Sequence, residues 1–186
     1  MPHPGPGPRI VIVGTTGSGK TTLARDLAHA LNLPHVELDA LNWGPNWTPA
    51  PVEVFRDSVQ KALSSDAWIC EGNYRAVHDL IWPRADELVW LDYPYPVVLR
   101  RLLGRTWRRT RNREILWAGN RESIRGQFTP TGILVWQART HWRLRRQIPA
   151  RLSHPQHAHL RLSHLRSPEE VEDWFGRRIA DARSPN

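Results

Sequence analysis

The sequence predicts a three-layer α/β fold, about five parallel strands with helices on both faces. Short apolar runs of strand length alternate along the chain with longer stretches of helical spacing. The first run, Arg9 to Val13, ends in a glycine-rich turn that opens directly into a helix. At 186 residues, the chain has the length of one domain with a core of its own. Apolar residues at 40% and charged residues at 24% are globular averages, which excludes wholesale disorder, collagen and a disulfide scaffold. The expected organisation is a flexible Pro/Gly/His leader over residues 1–8, one domain over 9–183 and a tail over 184–186.

The elements follow in order. After the turn, Lys20 to Leu31 carries Leu23, Leu27, Ala28 and Leu31 on one helical face. Pro34 breaks that helix, and His35 to Leu38 reads as a second strand running into Asp39. The loop Ala40 to Pro51 holds Trp43 and Trp47, and Val52, Phe55, Val59 and Leu63 mark the next helix. Ala67 to Cys70 is the third strand, reaching Glu71 and Gly72, and Arg75 to Trp82 a short helix stopped by Pro83. Glu87 to Leu91 is the fourth strand, with Asp92, Pro94 and Pro96 leading into a helix. Residues 100–150 read as an arginine-rich helical lid broken near Asn112, Gly119, Gly126 and Pro130. His159 to Ser163 forms a fifth strand, and Ser167-Pro168-Glu169-Glu170 opens a last helix with Ser at N-cap, Pro at N1 and Glu at N3.

Gly14 to Thr21 spells the pattern G-x-x-x-x-G-K-T between a strand and a helix, the context that gives this phosphate-binding loop its meaning. Glycines admit backbone conformations closed to other residues, so successive amides turn inward toward phosphate oxygens. The helix N-terminus adds partial positive charge. Lys20 is placed to reach the β- and γ-phosphates of a nucleoside triphosphate, and Thr21 to coordinate Mg²⁺. The phosphate site is therefore expected to comprise Gly14, Thr15, Thr16, Gly17, Ser18, Gly19, Lys20, Thr21 and Thr22, with ATP and Mg²⁺ as cofactors in a P-loop NTPase fold.

With this loop, the Glu71-Gly72 pair ending the third strand and Arg101-Leu102-Leu103-Gly104-Arg105 after the fourth, the chain resembles the P-loop nucleoside monophosphate kinases, of which adenylate kinase is the type. The runs Val36 to Trp47 and Trp68 to Tyr74, and Leu91-Asp92 with the proline that follows, are similar to bacterial adenylate-kinase-like proteins labelled topology modulation proteins, up to about Arg125. The resemblance implies a kinase that transfers the γ-phosphoryl group of ATP. It implies Glu71 at a Mg²⁺ water, Arg75 on an acceptor phosphate, and Arg101 and Arg105 on the donor phosphates. It also implies backbone contacts to adenine near His164 to Ser167. An arginine on a helix is equally a solvated face, and Asp92, at the end of the fourth strand and so placed to approach the nucleotide site, is equally a turn signal.

One departure bears on the acceptor. Adenylate kinases carry an arginine for the monophosphate soon after the second strand, whereas this chain has no Arg or Lys between Arg25 and Arg56. Instead it presents Asp39, an arrangement that resembles shikimate, gluconate and nucleoside kinases. A carboxylate there orients or deprotonates an acceptor hydroxyl, or caps the following turn. Trp43 and Trp47 are placed to stack on an acceptor ring, or to pack a turn over the sheet edge. The expected catalytic set is Lys20, Asp39, Arg101 and Arg105; the acceptor set is Asp39, Trp43, Trp47 and Arg75; the metal set is Thr21 and Glu71.

The net charge of +8 is unevenly spread: residues 93–166 carry sixteen Arg against Glu114 and Glu122. A GC-rich coding bias explains arginine in place of lysine, but not this clustering. Such a field attracts polyanions, either a triphosphate in a cleft or a nucleic-acid backbone. The alternative function is thus a nucleotide-dependent nucleic-acid-binding ATPase switch, although no helix-turn-helix, zinc-finger or RNA-binding signature is present. Trp68, Trp90 and Trp174 read as core. Trp107, Trp117, Trp136 and Trp142 interleave with arginines, which reads as amphipathic helix packing, cation-π pairing or a nucleic-acid surface, with core packing the simplest account. The nine histidines show no zinc spacing, with His154, His157, His159 and His164 read as loop composition. A single cysteine, Cys70, excludes an internal disulfide and favours a reducing compartment, so the expected location is the cytoplasm. No secretory signal or apolar run long enough to span a bilayer is present, and the expected partners are ATP and an unidentified small acceptor.

Overall fold

A strand covered on both faces must be apolar at successive positions, and Ile10 to Val13 are all withdrawn from solvent. In the computed structural model, which describes residues 7–121 and 133–183, this run is β1 (Arg9–Gly14), the middle strand of a parallel sheet. The other strands are β2 (His35–Glu37), β3 (Trp68–Glu71), β4 (Glu87–Leu91) and β5 (Arg161–Leu165), in the order β2-β3-β1-β4-β5. The helices are α1 (Lys20–Leu31), α2 (Leu38–Asn42), α3 (Val52–Ala62), α4 (His78–Ile81), α5 (Tyr95–Arg111), α6 (Ile133–Leu152) and α7 (Pro168–Arg183).

Alternation along the strands sorts the side chains into two cores. Ile10, Ile12, Ile69 and Val89 face Leu23, Ala24 and Leu27 of α1 and Trp174 of α7. Val11, Val13, Trp68 and Leu88 face Phe55 and Val59 of α3, Ile81 of α4 and Ile148 of α6. Helices thus cover both faces, and the three-layer α/β reading stands. Trp68, Trp90 and Trp174 are core, as the pattern of apolar neighbours implies.

Several boundaries move for identifiable reasons. The second strand stops at Glu37, and Asp39 lies in the first turn of α2 rather than at a strand end. The residues after it, Ala40 to Asn42, are competent helix formers with no breaker before Gly44. The α-helix ends before Pro83 but is shorter than the pattern suggests: α4 is flanked by 3-10 turns, Arg75–Val77 and Trp82–Arg84, the second holding Pro83 in its first turn, where proline is tolerated. The fifth strand is Arg161–Leu165, two residues later than the apolar pattern suggests, so His164 belongs to a strand and not to a loop. Pro8, assigned to the leader, already joins the sheet through its carbonyl, which accepts from the Trp68 amide at 3.2 Å. The helix end at Asn112 and the turn at Gly119 are present, and the last helix opens with the Ser167 hydroxyl accepting from the Glu170 amide at 3.2 Å. The breaks at Gly126 and Pro130, leader residues 1–6 and tail residues 184–186 lie outside the described residues. No helix among the described residues is long and apolar enough to cross a membrane.

Beneath β4 and β5 lies a buried carboxylate. Glu87, 1% exposed, accepts from Arg161 at 2.7 Å, from the Ser163 hydroxyl at 2.6 Å and from the Trp174 indole at 3.1 Å, with Arg178 at 3.5 Å. It joins two strands to α7. Removing one partner of such a network leaves buried polar groups unsatisfied, so Glu87→Ala is expected to lower unfolding free energy by about 3 kcal/mol, measured by urea denaturation followed by tryptophan fluorescence.

Candidate active site

Register decides what meets at the carboxyl ends of the strands. Gly14 lies beside Leu91 and Ile12 beside Glu71, so the segments leaving β1, β3 and β4 converge at one edge of the sheet. The glycine loop there is tightly seated. Gly17 has φ 87° and a Cβ on it would stand 2.7 Å from the Val98 carbonyl of α5. Gly19, with φ 95°, takes the left-handed conformation immediately before α1. Asn73 holds the loop from the β3 side: its Oδ1 accepts from the Gly14 amide at 3.3 Å, and its Nδ2 donates to the Gly14 carbonyl.

Within this cradle the Lys20 ammonium donates to the Thr15 carbonyl at 3.1 Å, and the buried Ser18 hydroxyl has no partner. Burial pushes the Lys20 ammonium below the usual lysine range. The Glu71 and Asp39 carboxylates oppose that shift, and the Arg105 guanidinium adds to it. Lys20, Glu71, Asp39 and Arg105 therefore share one electrostatic environment. The Thr21 hydroxyl donates to Glu71 at 2.8 Å. Glu71 is 2% exposed, and burial raises its carboxyl to about 7, against the pull of Lys20 and the Thr21 hydrogen bond.

These residues fit a phosphate-bound Mg²⁺. Two hard oxygen donors stand together, and a carboxylate penalised by burial is one that gains from a nearby divalent cation. Among the described residues no group of three or more His, Cys, Asp or Glu is arranged to hold a metal unaided. Mg²⁺ commonly takes most of its shell from phosphate and water, with one or two protein oxygens.

Asp39 accepts a hydrogen bond from the Tyr74 hydroxyl, which also engages Asn42 and Trp43. The Tyr74 ring packs edge-on against Phe55 at 5.1 Å, and burial together with the Asp39 charge raises its hydroxyl well above the usual tyrosine range. Asp39 does not cap α2, whose N-terminus has no side-chain cap. Trp43 and Trp47 meet edge-on at 5.9 Å, and Trp47 meets Trp117 at 6.2 Å. The Trp117 indole donates to Glu37 at 3.1 Å. Asn120, 6% exposed, clasps the tryptophan loop: it donates to the Gly44 carbonyl at 2.8 Å and accepts from the Trp47 amide at 3.0 Å. Asn46 and Trp47 sit at φ 55° and 57°, a left-handed conformation uncommon for a bulky residue.

The arginines part ways. Arg101 lies over the Tyr93 ring at 4.9 Å and donates to the Ser18 carbonyl at 3.5 Å, against the glycine loop. Arg105 is half-buried, near Lys20. Arg75 is exposed and borders a separate recess with His78 and Arg151. Asp92 is committed elsewhere, accepting from Arg145 at 2.6 Å and meeting His164 at 3.0 Å, while His164 stacks on Trp90 at 4.1 Å. Trp107 and Trp142 are 62% and 53% exposed, which corrects the core-packing account of them: they lie on the outer faces of α5 and α6. The Trp136 side chain lies outside the described residues.

Sequence reasoning assigned no role to Asn73, Tyr74 or Asn120, and placed Trp117 in a core although it is only half-buried. The first two follow Glu71-Gly72 directly, and that adjacency to a strand end was the available signal. Trp117 and Asn120 act on residues more than seventy positions away, for which local pattern holds no cue.

Because the folded-state value of Glu71 is raised, the folded protein holds its proton through a window in which the unfolded chain has lost it. Its contribution to stability is full below about 4.5 and is lost as pH rises through about 7. Glu71→Gln is therefore expected to gain stability relative to the parent over that interval, by up to about 3 kcal/mol at pH 8, read from urea midpoints at pH 4.5 and pH 8 without nucleotide or divalent cation.

No protein-family model and no curated protein matches this sequence. Solved structures do resemble it. A gluconokinase from Sinorhizobium meliloti is 19% identical with TM-score 0.51, covering 96% of this chain and 96% of that one. A sugar kinase from a Janibacter species is 21% identical with TM-score 0.54, covering 97% and 100%. A putative kinase from Chloroflexus aurantiacus is 20% identical with TM-score 0.51, covering 95% and 97%. At such identities the likeness is one of architecture, and the five-stranded parallel sheet with its glycine loop is the P-loop kinase-like fold.

Proposed function

We propose that this chain is an ATP- and Mg²⁺-dependent phosphotransferase that moves the γ-phosphoryl group to a hydroxyl of a small acceptor. The observation that carries this reading is the shared environment of Lys20, at the glycine loop, and Asp39, held by Tyr74 at the mouth of the tryptophan loop. One group belongs to a phosphate cradle and the other is a carboxylate suited to accept a hydroxyl proton. A glycine loop without Asp39 would support nucleotide binding alone.

In this mechanism the amides of residues 15–20 and the Lys20 ammonium hold the β- and γ-phosphates, and Thr21 with Glu71 holds Mg²⁺. The metal, when bound, neutralises charge on the phosphate oxygens. Tyr74 aims the Asp39 carboxylate, which takes the proton of the acceptor hydroxyl as its oxygen bonds to the γ-phosphorus and the bond to the β-phosphate oxygen breaks. Trp43 and Trp47 wall the acceptor. Arg101 and Arg105 offset charge on the transferring group. The absence of Arg or Lys between Arg25 and Arg56 favours a polyol or nucleoside hydroxyl over an acceptor monophosphate. The gluconokinase and sugar kinase among the structural likenesses are in keeping with a polyol. The narrower likeness to adenylate-kinase-like topology modulation proteins rests on the sequence runs alone.

A second reading draws on the exposed tryptophans. Exposed Trp107 with Arg100, Arg108 and Arg111 on α5, and exposed Trp142 with Arg146 on α6, are the residue types that take a nucleic-acid strand. Tight strand binding that ATP alters would favour a switch ATPase; salt-sensitive binding that ATP leaves unchanged is expected of any basic protein.

Lys20→Ala is expected to abolish magnesium-assisted ATP binding in calorimetry. Asp39→Asn is expected to retain ATP binding while slowing acceptor-stimulated ADP release by about 10²- to 10⁴-fold, measured by coupled assay across sugars, polyols and nucleosides. Undiminished turnover in Asp39→Asn, or no stimulation by any acceptor of these classes, would count against the kinase.

A further inference from the structure

Arg75 faces a recess of about 260 Å³ between α4 and the C-terminal end of α6, lined also by His78, Asp79, Arg151, Gln156 and His157. The charges around it do not balance. Arg75 and Arg151 are close enough that the charge of Arg75 adds to burial in lowering Arg151 below the usual arginine range. The one carboxylate on the wall, Asp79, is already taken: Arg56 grips it with two hydrogen bonds, at 2.8 and 2.6 Å. No carboxylate among the described residues forms an ion pair with Arg75 or Arg151. Among the described residues, two guanidiniums thus line one recess without a counter-ion.

The two histidines of the wall are held in place by stacking and hydrogen bonds. His78 stacks on Trp82 at 4.6 Å, and burial, then the charge of Arg151, lowers its imidazole to about 4. Neutral at ordinary pH, it accepts from Arg151 at 2.6 Å and fixes that side chain at the rim. His157 meets the edge of Trp82 at 5.3 Å and is 7% exposed, with a buried Nδ1 that has no partner. Gln156 and His157 meet at 3.0 Å. Two arginines without a carboxylate partner among the described residues, with the Gln156 amide beside them, match the oxygens of a tetrahedral oxyanion.

We propose that this recess binds a phosphate group, outside the glycine loop and independently of nucleotide. The ligand bridges Arg75 and Arg151, relieves their repulsion and ties α4 to the end of α6. Its source is either free inorganic phosphate or a small phosphomonoester.

The test uses the full chain carrying Lys20→Ala, which removes the ammonium of the glycine loop. Inorganic phosphate and glycerol 3-phosphate are titrated separately by calorimetry, and the ring signals of His78 and His157 are followed by NMR. Saturable binding that shifts both rings is expected. Arg151→Gln and Arg75→Gln should each weaken it on the order of tenfold, and Arg25→Gln, at an exposed pair with Asp26, should leave it unchanged. Tighter binding of the monoester identifies a phosphorylated metabolite as ligand, and equal affinity identifies the free ion. Arg75 is exposed, so its variant keeps the test decisive should Arg151→Gln unfold. Lack of saturable binding, or binding insensitive to both arginine substitutions, overturns the proposal.

Discussion

The glycine loop closes where it does because the backbone around it has no room for side chains. Gly17 rests on the Val98 carbonyl and on Leu102, and Asn73 grips both polar groups of the Gly14 peptide from the neighbouring strand. With that seat fixed, α1 starts directly after Gly19 with its first amides free, and Lys20 and Thr21 open it beside the loop. The pairing of Ile12 with Glu71 then brings the carboxylate to the Thr21 hydroxyl. A shift of one residue in that pairing would turn Glu71 to the other face and dissolve the arrangement.

Around this seat charges are concentrated where water is scarce. Lys20 is destabilised by its burial, Glu71 by its own, and Asp39 acts on both. Such a cluster is poorly balanced without a guest, since desolvation costs buried ions several kcal/mol each in general. A triphosphate with its cation supplies opposite charge to both sides at once. Under the proposed function that imbalance is what a bound triphosphate would relieve, and perturbed groups of this kind gather at functional sites more often than in structural cores.

Much of the fold was legible because its signals are local. Residues 10–13 and 88–91 are apolar without interruption, as strands covered on two sides must be, and the glycine pattern sits between a strand and a helix. Glu71 and Asp39 were visible as carboxylates near strand ends, although Asp39 proved to lie within a helical turn. What local pattern did not carry was pairing at distance. Asp92 and His164 are joined across a sheet and stacked beside Trp90, and neither neighbourhood announces it. The exposed Trp107 and Trp142 show the converse, since helical spacing alone does not say which stripe finds a neighbour. Arg75 likewise sits at the expected distance after Glu71, yet its side chain is directed by α4 and α6.

The clasp made by Asn120 has a bearing on selectivity. One amide side chain fixes both the Gly44 carbonyl and the Trp47 amide, so two loops distant in sequence are immobilised together as the protein folds. Freezing the indole wall in this way removes its disorder in advance, rather than at every encounter with a guest. Under the proposed function, indoles fixed in advance would select an acceptor by rigid shape, turning away molecules that need them to swing aside.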